Sequence, residues 1–173
     1  MNIFFLHRCV HSCAEMHCDK HIVKMILEYA QLLCSAWHIL DENHEYFKPK
    51  YKLTHKNHPC AIWVRSSVEN YKWLCKLGLA LCKEYTFRYE KIHKSEEIIY
   101  ELSKNIIRVK VHDFFDPPQA MPDIYKNSDA VFAYHKYYLG EKKHILKWKK
   151  RREPMFTKLA KHRRRLFQKY PNS

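Results

Sequence analysis

The chain has 173 residues, is 46% hydrophobic, and sets 32 Lys plus Arg against 18 Asp plus Glu for a formal charge of +14. That length suffices for one hydrophobic core, and that charge points to a polyanionic partner. Only two glycines occur, Gly78 and Gly140, which excludes the glycine-rich loops that press backbone amides against nucleotide phosphates, and with them a nucleotide-cradling α/β enzyme.

Seven cysteines, Cys9, Cys13, Cys18, Cys34, Cys60, Cys75 and Cys82, are odd in number and confined to the first half, unlike a secreted disulfide framework. They are expected to be intracellular thiols. The opening Met-Asn-Ile-Phe-Phe-Leu is too short an apolar run, and lacks the basic flank, for a secretory signal or a membrane span. The expectation is a soluble intracellular protein with no membrane partner.

Taken in order, Asn2 to Leu6 reads as a short apolar arm tucked into the fold. From His17 to Leu40 there is neither Gly nor Pro, and Leu, Met, Ala, Glu and Lys predominate, which predicts a central helix. Asp41 to Asn57 is polar and reads as a loop. A second helical stretch opens at Pro59 with Asn57 as cap, and Ser66 with Glu69 forms a capping-box pattern where it can break before continuing to Lys91. Ser95 opens a third, weaker helix to Ile107. Val109 to Asn127 contains three prolines but should be ordered, because Phe114, Phe115, Met121 and Tyr125 would be costly in water. Ser128 then caps a helix to Leu139, with Val131, Tyr134, His135 and Tyr138 along one face.

The predicted architecture is all-α: one mostly helical core domain, residues 1–140, followed by a basic, aromatic extension, residues 141–173. Glu141 to Lys169 holds thirteen Lys or Arg and two Glu, so most of the excess charge sits there. Among these charges stand Trp148, Met155, Phe156, Leu159, Leu166 and Phe167, a mixture suited to neutralising phosphates while rings pack or stack. Lys147, Trp148, Lys149, Lys150, Arg151 and Arg152 are the foremost candidates for DNA contact. A solvated basic tail without a specific ligand is the competing reading.

Within the first predicted helix, His17, His21, Lys24, Glu28, Gln31 and Ser35 are spaced by four and three residues and so share one stripe. Apolar residues surround it, so the stripe should meet a groove or an internal polar network, since buried charge without partners is expensive. A carboxylate beside a cation in a partly desolvated cleft suits acid and base work; Glu28 is the natural proton carrier, with Lys24 and His21 beside it. An ordinary Lys24–Glu28 ion pair facing solvent is the bland alternative. Asn57, His58, Arg65 and Lys72 are candidates for a second, DNA-contacting wall of the same cleft, although a charged helix face explains them equally well. The cluster His7, Cys9, His11, Cys13, His17, Cys18 and His21 has zinc-ligand chemistry but no paired CxxC and no HExxH, so no metal or other cofactor is assigned.

The apolar amino-terminal arm, the helix with Lys24-Met-Ile-Leu-Glu28-Tyr-Ala-Gln31, the Asn57-His58-Pro59 step into the next helix, the proline-rich loop and Trp148-Lys149-Lys150 together resemble the pyrimidine-dimer DNA glycosylases of the phage endonuclease V type. The resemblance implies an all-α, metal-independent DNA-repair enzyme acting on damaged or modified pyrimidines in duplex DNA, with N-glycosylase and abasic-site lyase activity. It implies that the amine exposed after removal of the initiator Met attacks the sugar C1′, which matches Asn2, and that a helical glutamate assists, which matches Glu28. A free α-amine is partly neutral near pH 7, unlike an exposed lysine. Asn2 is bulkier than residues that usually follow a removed Met, which leaves the amine of Met1 as the other candidate. Two readings compete with this one: a HEPN-like, metal-independent ribonuclease using Arg88 and His93, and a non-catalytic basic nucleic-acid-binding protein.

Overall fold

The computed structural model describes residues 1–169, with side chains through 162; residues 170–173 of the expected extension, and the side chains of Leu166 and Phe167, lie outside the described residues. Seven α-helices are described: α1 (Val10–Met16), α2 (Asp19–Leu40), α3 (Pro59–Ser66), α4 (Val68–Tyr89), α5 (Glu96–Lys104), α6 (Ala130–Gly140) and α7 (Met155–Lys169). Two short 3-10 turns, Asp123–Tyr125 and Lys143–Ile145, interrupt the connections, and no strand occurs among the described residues.

Several boundaries differ from the sequence expectation, each for a local reason. The first predicted helix, His17 to Leu40, starts two residues later, at Asp19, because His17 and Cys18 are extended, and it is preceded by a short helix, α1, ending at Met16, that the sequence expectation does not include. The cap of α3 is His58 rather than Asn57: its ring accepts from the Cys60 amide, and Pro59, which has no N–H, follows it. The break falls at Ser67 rather than Ser66, with the Ser67 hydroxyl capping α4 through Glu69 N–H. The α4 helix ends at Tyr89 and α5 spans Glu96–Lys104, shorter than expected. Asp129, not Ser128, caps α6, accepting from the amides of Val131 and Phe132. In three of these caps the neighbouring residue was the better acceptor, a one-residue difference that composition does not resolve.

The core is built around α2, which packs on α3, α4 and α5, while α1 lies on α4. Gly78 lets α5 come close, since a side chain there would meet Ile99 at 3.1 Å. The arm forms neither helix nor strand, yet Ile3, Phe4, Phe5 and Leu6 are all buried. No helix among the described residues is long and apolar enough to cross a membrane.

One buried cation joins four segments. Arg88, wholly buried on α4, donates to Glu84 at 2.7 Å, to Asp19 at 2.9 Å, and to the carbonyls of His17 and Glu15 at 3.0 Å each. Glu84 also accepts from Arg151, at 2.8 Å in its shortest bond, and the Asp19 carboxylate accepts the Lys149 backbone amide at 2.9 Å. Asp19 N–H donates to the Lys147 carbonyl and the Trp148 indole to the Met16 carbonyl, so residues 147–151 are stitched to the α1–α2 junction. This network also answers the ribonuclease reading: a guanidinium with no exposed surface and a full set of partners is not available to a substrate. Replacing Arg88 by Met strands two carboxylates and should cost about 3–5 kcal/mol in denaturant unfolding; a loss below about 1 kcal/mol would contradict the network's role.

Candidate functional site

The arm meets α2, and because it has no strand partner several of its backbone groups are satisfied by side chains, while the Leu6 amide turns back to the Phe4 carbonyl at 3.0 Å. Asn2 N–H donates to Glu28 Oε2 at 3.3 Å, and Phe4 N–H to the Tyr29 hydroxyl at 3.3 Å. The Phe4 carbonyl accepts from the Cys13 thiol and the Leu6 carbonyl from His135. The side chain of Asn2 is held as firmly: its amide donates to the Ala120 carbonyl at 2.9 Å, and its oxygen accepts from the Tyr134 hydroxyl at 2.7 Å, which also reaches the Pro118 carbonyl.

The proline-rich loop and α6 therefore fix residue 2 from one side and α2 from the other. Glu28 is almost buried; its other oxygen, Oε1, lies 3.3 Å from Lys24 Nζ, whose side chain is 67% exposed. At that exposure the ion pair adds little stability, and the ammonium is free to turn toward an anionic ligand. The stripe expected on α2 is thus uneven. His17 lies before the helix, His21, Glu28 and Ser35 are buried, and Lys24 reaches solvent, flanked by Val23 and Leu27, which are themselves exposed rather than buried.

His21 stacks on Phe4 with centroids 4.1 Å apart and its Nδ1 lies 2.6 Å from the Tyr138 hydroxyl. His17 donates from Nδ1 to the Cys13 carbonyl and accepts from Tyr29 at Nε2, so these histidines, with Cys18, are spent on the core rather than gathered for zinc. Among the described residues no group of three or more His, Cys, Asp or Glu is placed to hold a metal ion. Burial pushes His21 down to about 3 and Cys60 up to about 11, so both are neutral near pH 7. All seven cysteines are free thiols.

His58 caps α3, its ring accepting from the Cys60 amide, and its basicity is lowered chiefly by burial. Asn57 beside it is exposed, and Arg65, on α3, donates to the Lys56 carbonyl in the same stretch. Lys72 is separated from Arg65 by the break at Ser67 and pairs instead with Glu69 at 2.8 Å, so the expected charged line does not run as one helix face. In the basic segment, Arg151 is bound to Glu84 and Glu15, and Lys150 to Glu90, with Trp148 half-buried on Met16. Lys149 lies over the Tyr89 ring, and Lys147 and Arg152 are exposed. Sequence reasoning missed Tyr134 as a neighbour of residue 2. The only sign was Tyr134 on the apolar face of α6, where a buried hydroxyl must find a partner.

A model of the pyrimidine dimer DNA glycosylase family matches residues 1–97. The chain belongs to this family. The matched stretch holds the arm, Glu28 and the Asn57-His58-Pro59 step, whereas Tyr134 and residues 147–152 lie beyond it. Neither a search of curated proteins nor one of solved structures found a match.

The fully buried His17 is pushed down to about 4, chiefly by loss of hydration. The unfolded chain takes up this proton near 6.5 and the folded chain only near 4, so stability is fully present above about pH 7 and declines as pH falls through that window. The unfolding free energy should fall between pH 7 and 4, with His17 alone contributing on the order of 3 kcal/mol and His21, pushed down to about 3, adding to the loss in the same direction; a flat profile would refute the neutral buried rings.

Proposed function

We propose that this chain is a DNA-repair N-glycosylase with abasic-site lyase activity, acting on pyrimidine lesions in duplex DNA without a cofactor. The observation that carries this reading is the 3.3 Å contact between the backbone nitrogen of Asn2 and Glu28 Oε2. In a chain that begins at Asn2, that same nitrogen is the α-amine, already seated beside a nearly buried carboxylate.

The chemistry follows from that pair. The amine lone pair forms a bond to the sugar C1′ as the C1′–N bond to the base breaks, its electrons leaving with the base. Glu28 takes a proton from the new ammonium and returns it to O4′ when the nitrogen lone pair opens the C1′–O4′ bond, giving an iminium, the protonated Schiff base. Loss of a C2′ proton then expels the 3′ phosphate. Lys24 is suited to a phosphate near the lesion and His21 to shaping the floor beneath the arm, while Asn57, His58, Arg65, Lys72 and the 147–152 segment are proposed to contact DNA, chiefly through its backbone.

Membership of the family supports this assignment, as does the clamp on Asn2, which holds the nitrogen independently of whatever precedes it. Borohydride should trap a covalent adduct between abasic duplex DNA and protein beginning at Asn2. The E28Q variant should cut its rate by about 10²-fold or more. Retention of Met1 turns the nitrogen into an amide and should abolish trapping through residue 2, which peptide mass mapping of the adduct would detect. No adduct with the processed protein would leave only a cationic DNA binder.

A further inference from the structure

The two groups assigned above to bond making and proton transfer are recessed. Asn2 is 8% exposed and Glu28 9%, so the sugar carbon must travel to the nitrogen rather than the nitrogen to the sugar. A nucleotide in a duplex reaches a recessed group only by leaving the base stack. The opened step then has to be held apart.

The face of α2 that carries Glu28 supplies groups for this. Lys20, Val23, Lys24 and Leu27 are exposed and Gln31 is half-buried. At about 3.6 residues per turn these positions and Glu28 share one arc, with Glu28 at one border and Val23 at the other. Leu27 directly precedes Glu28 and lies one turn from both Val23 and Lys24, so the two aliphatic side chains are neighbours. Val23 is 42% and Leu27 39% exposed, although Ile22, Met25, Ile26 and Tyr29 on the opposite side of the same turns are buried.

A lone exposed aliphatic is ordinary on a protein surface. Here two adjoin, with Lys20 and Lys24 on the same arc, and Glu28, the one acid among these six residues, is drawn back between Lys24 and the Asn2 nitrogen. The face therefore suits a ligand with anionic edges and an apolar interior. An unstacked base step has that form: the faces of its bases are apolar, and phosphates run along both sides.

We propose that Leu27, backed by Val23, is a wedge that enters the minor groove at the damaged step and keeps it unstacked, while Lys20 and Lys24 meet the flanking phosphates. This rests on the glycosylase reading and adds residues that deform the substrate rather than act on the breaking bond. Contact between the aliphatic side chains and the bases replaces part of the lost stacking, and the sugar of the displaced nucleotide is left within reach of the recessed nitrogen.

The test compares base release from two duplexes carrying the same pyrimidine dimer, one fully paired and one with the dimer opposite mismatched bases, where the step is already loosened. Protein beginning at Asn2 is used, and because Leu27 is partly exposed, L27A should melt close to the wild type. L27A should lower base release from the paired duplex about 10-fold more than from the mismatched one. L27M should restore most of that difference, whereas L27K, which adds a charge for the phosphates but removes the wedge, should not. In an E28Q background, where base release is slow, 2-aminopurine placed beside the dimer should brighten on binding, and much less once L27A is added. Equal loss on both duplexes, full activity of L27K, or the same brightening with and without L27A overturns the wedge and leaves the glycosylase reading standing. Wild-type protein that releases base from neither duplex overturns both.

Discussion

A buried extended segment without a strand beside it must have its amides and carbonyls satisfied one at a time, and this requirement organises the molecule. The arm meets Glu28 and Tyr29 from α2, Cys13 from α1, and His135 from α6. Each partner is a side chain on a helix already committed to the core. The position of residue 2 is therefore as well determined as that of a core residue, although it stands at the end of the chain, where fraying is the ordinary expectation. The same contacts that bury Ile3, Phe5 and Leu6 bring a backbone nitrogen against a carboxylate.

The electrostatic setting follows. A protein of formal charge +14 places one nearly buried carboxylate at the point where the arm crosses α2. The surrounding titratable side chains, His21 and Cys60, are held neutral by burial, so Glu28, exposed Lys24 and the amino terminus carry most of the local charge. In a medium of reduced dielectric constant, a few charges with neutral surroundings are felt strongly by any bond that polarises there. The general cationic excess serves a different purpose, drawing the phosphate backbone toward the site over distances at which no single contact matters.

Much of this was legible in the sequence, and the parts that were not share a cause. The all-helical class, the apolar arm, the break within the second helical stretch and a carboxylate paired with Lys24 on α2 follow from periodicity and composition. What sequence could not reveal is which side chains meet across large separations. Tyr134 lies more than a hundred positions from Asn2, and its role depends on the proline-rich loop bending so that the Pro118 carbonyl shares its hydroxyl. Arg88 looked like half of a ribonuclease motif because local spacing cannot tell a guanidinium facing solvent from one enclosed by Glu84, Asp19 and two carbonyls. His58 was passed over as a cap because asparagine next to it is the better capper in general, and only the backbone path shows which ring or amide faces the Cys60 amide.

The Arg88 cluster also bears on how such a chain can diversify. Residues 147–151 are not an appended string of cations: their backbone and side chains complete the coordination of Asp19 and Glu84, two acids that belong to the helical body. A different carboxy-terminal stretch, brought in by recombination, would arrive without Arg151 and the Lys149 amide, leaving Arg88 alone to neutralise both Glu84 and Asp19. Exchange of that stretch is thereby coupled to simultaneous change on α2 and α4, so the two ends of the polypeptide are constrained to vary together rather than as interchangeable modules.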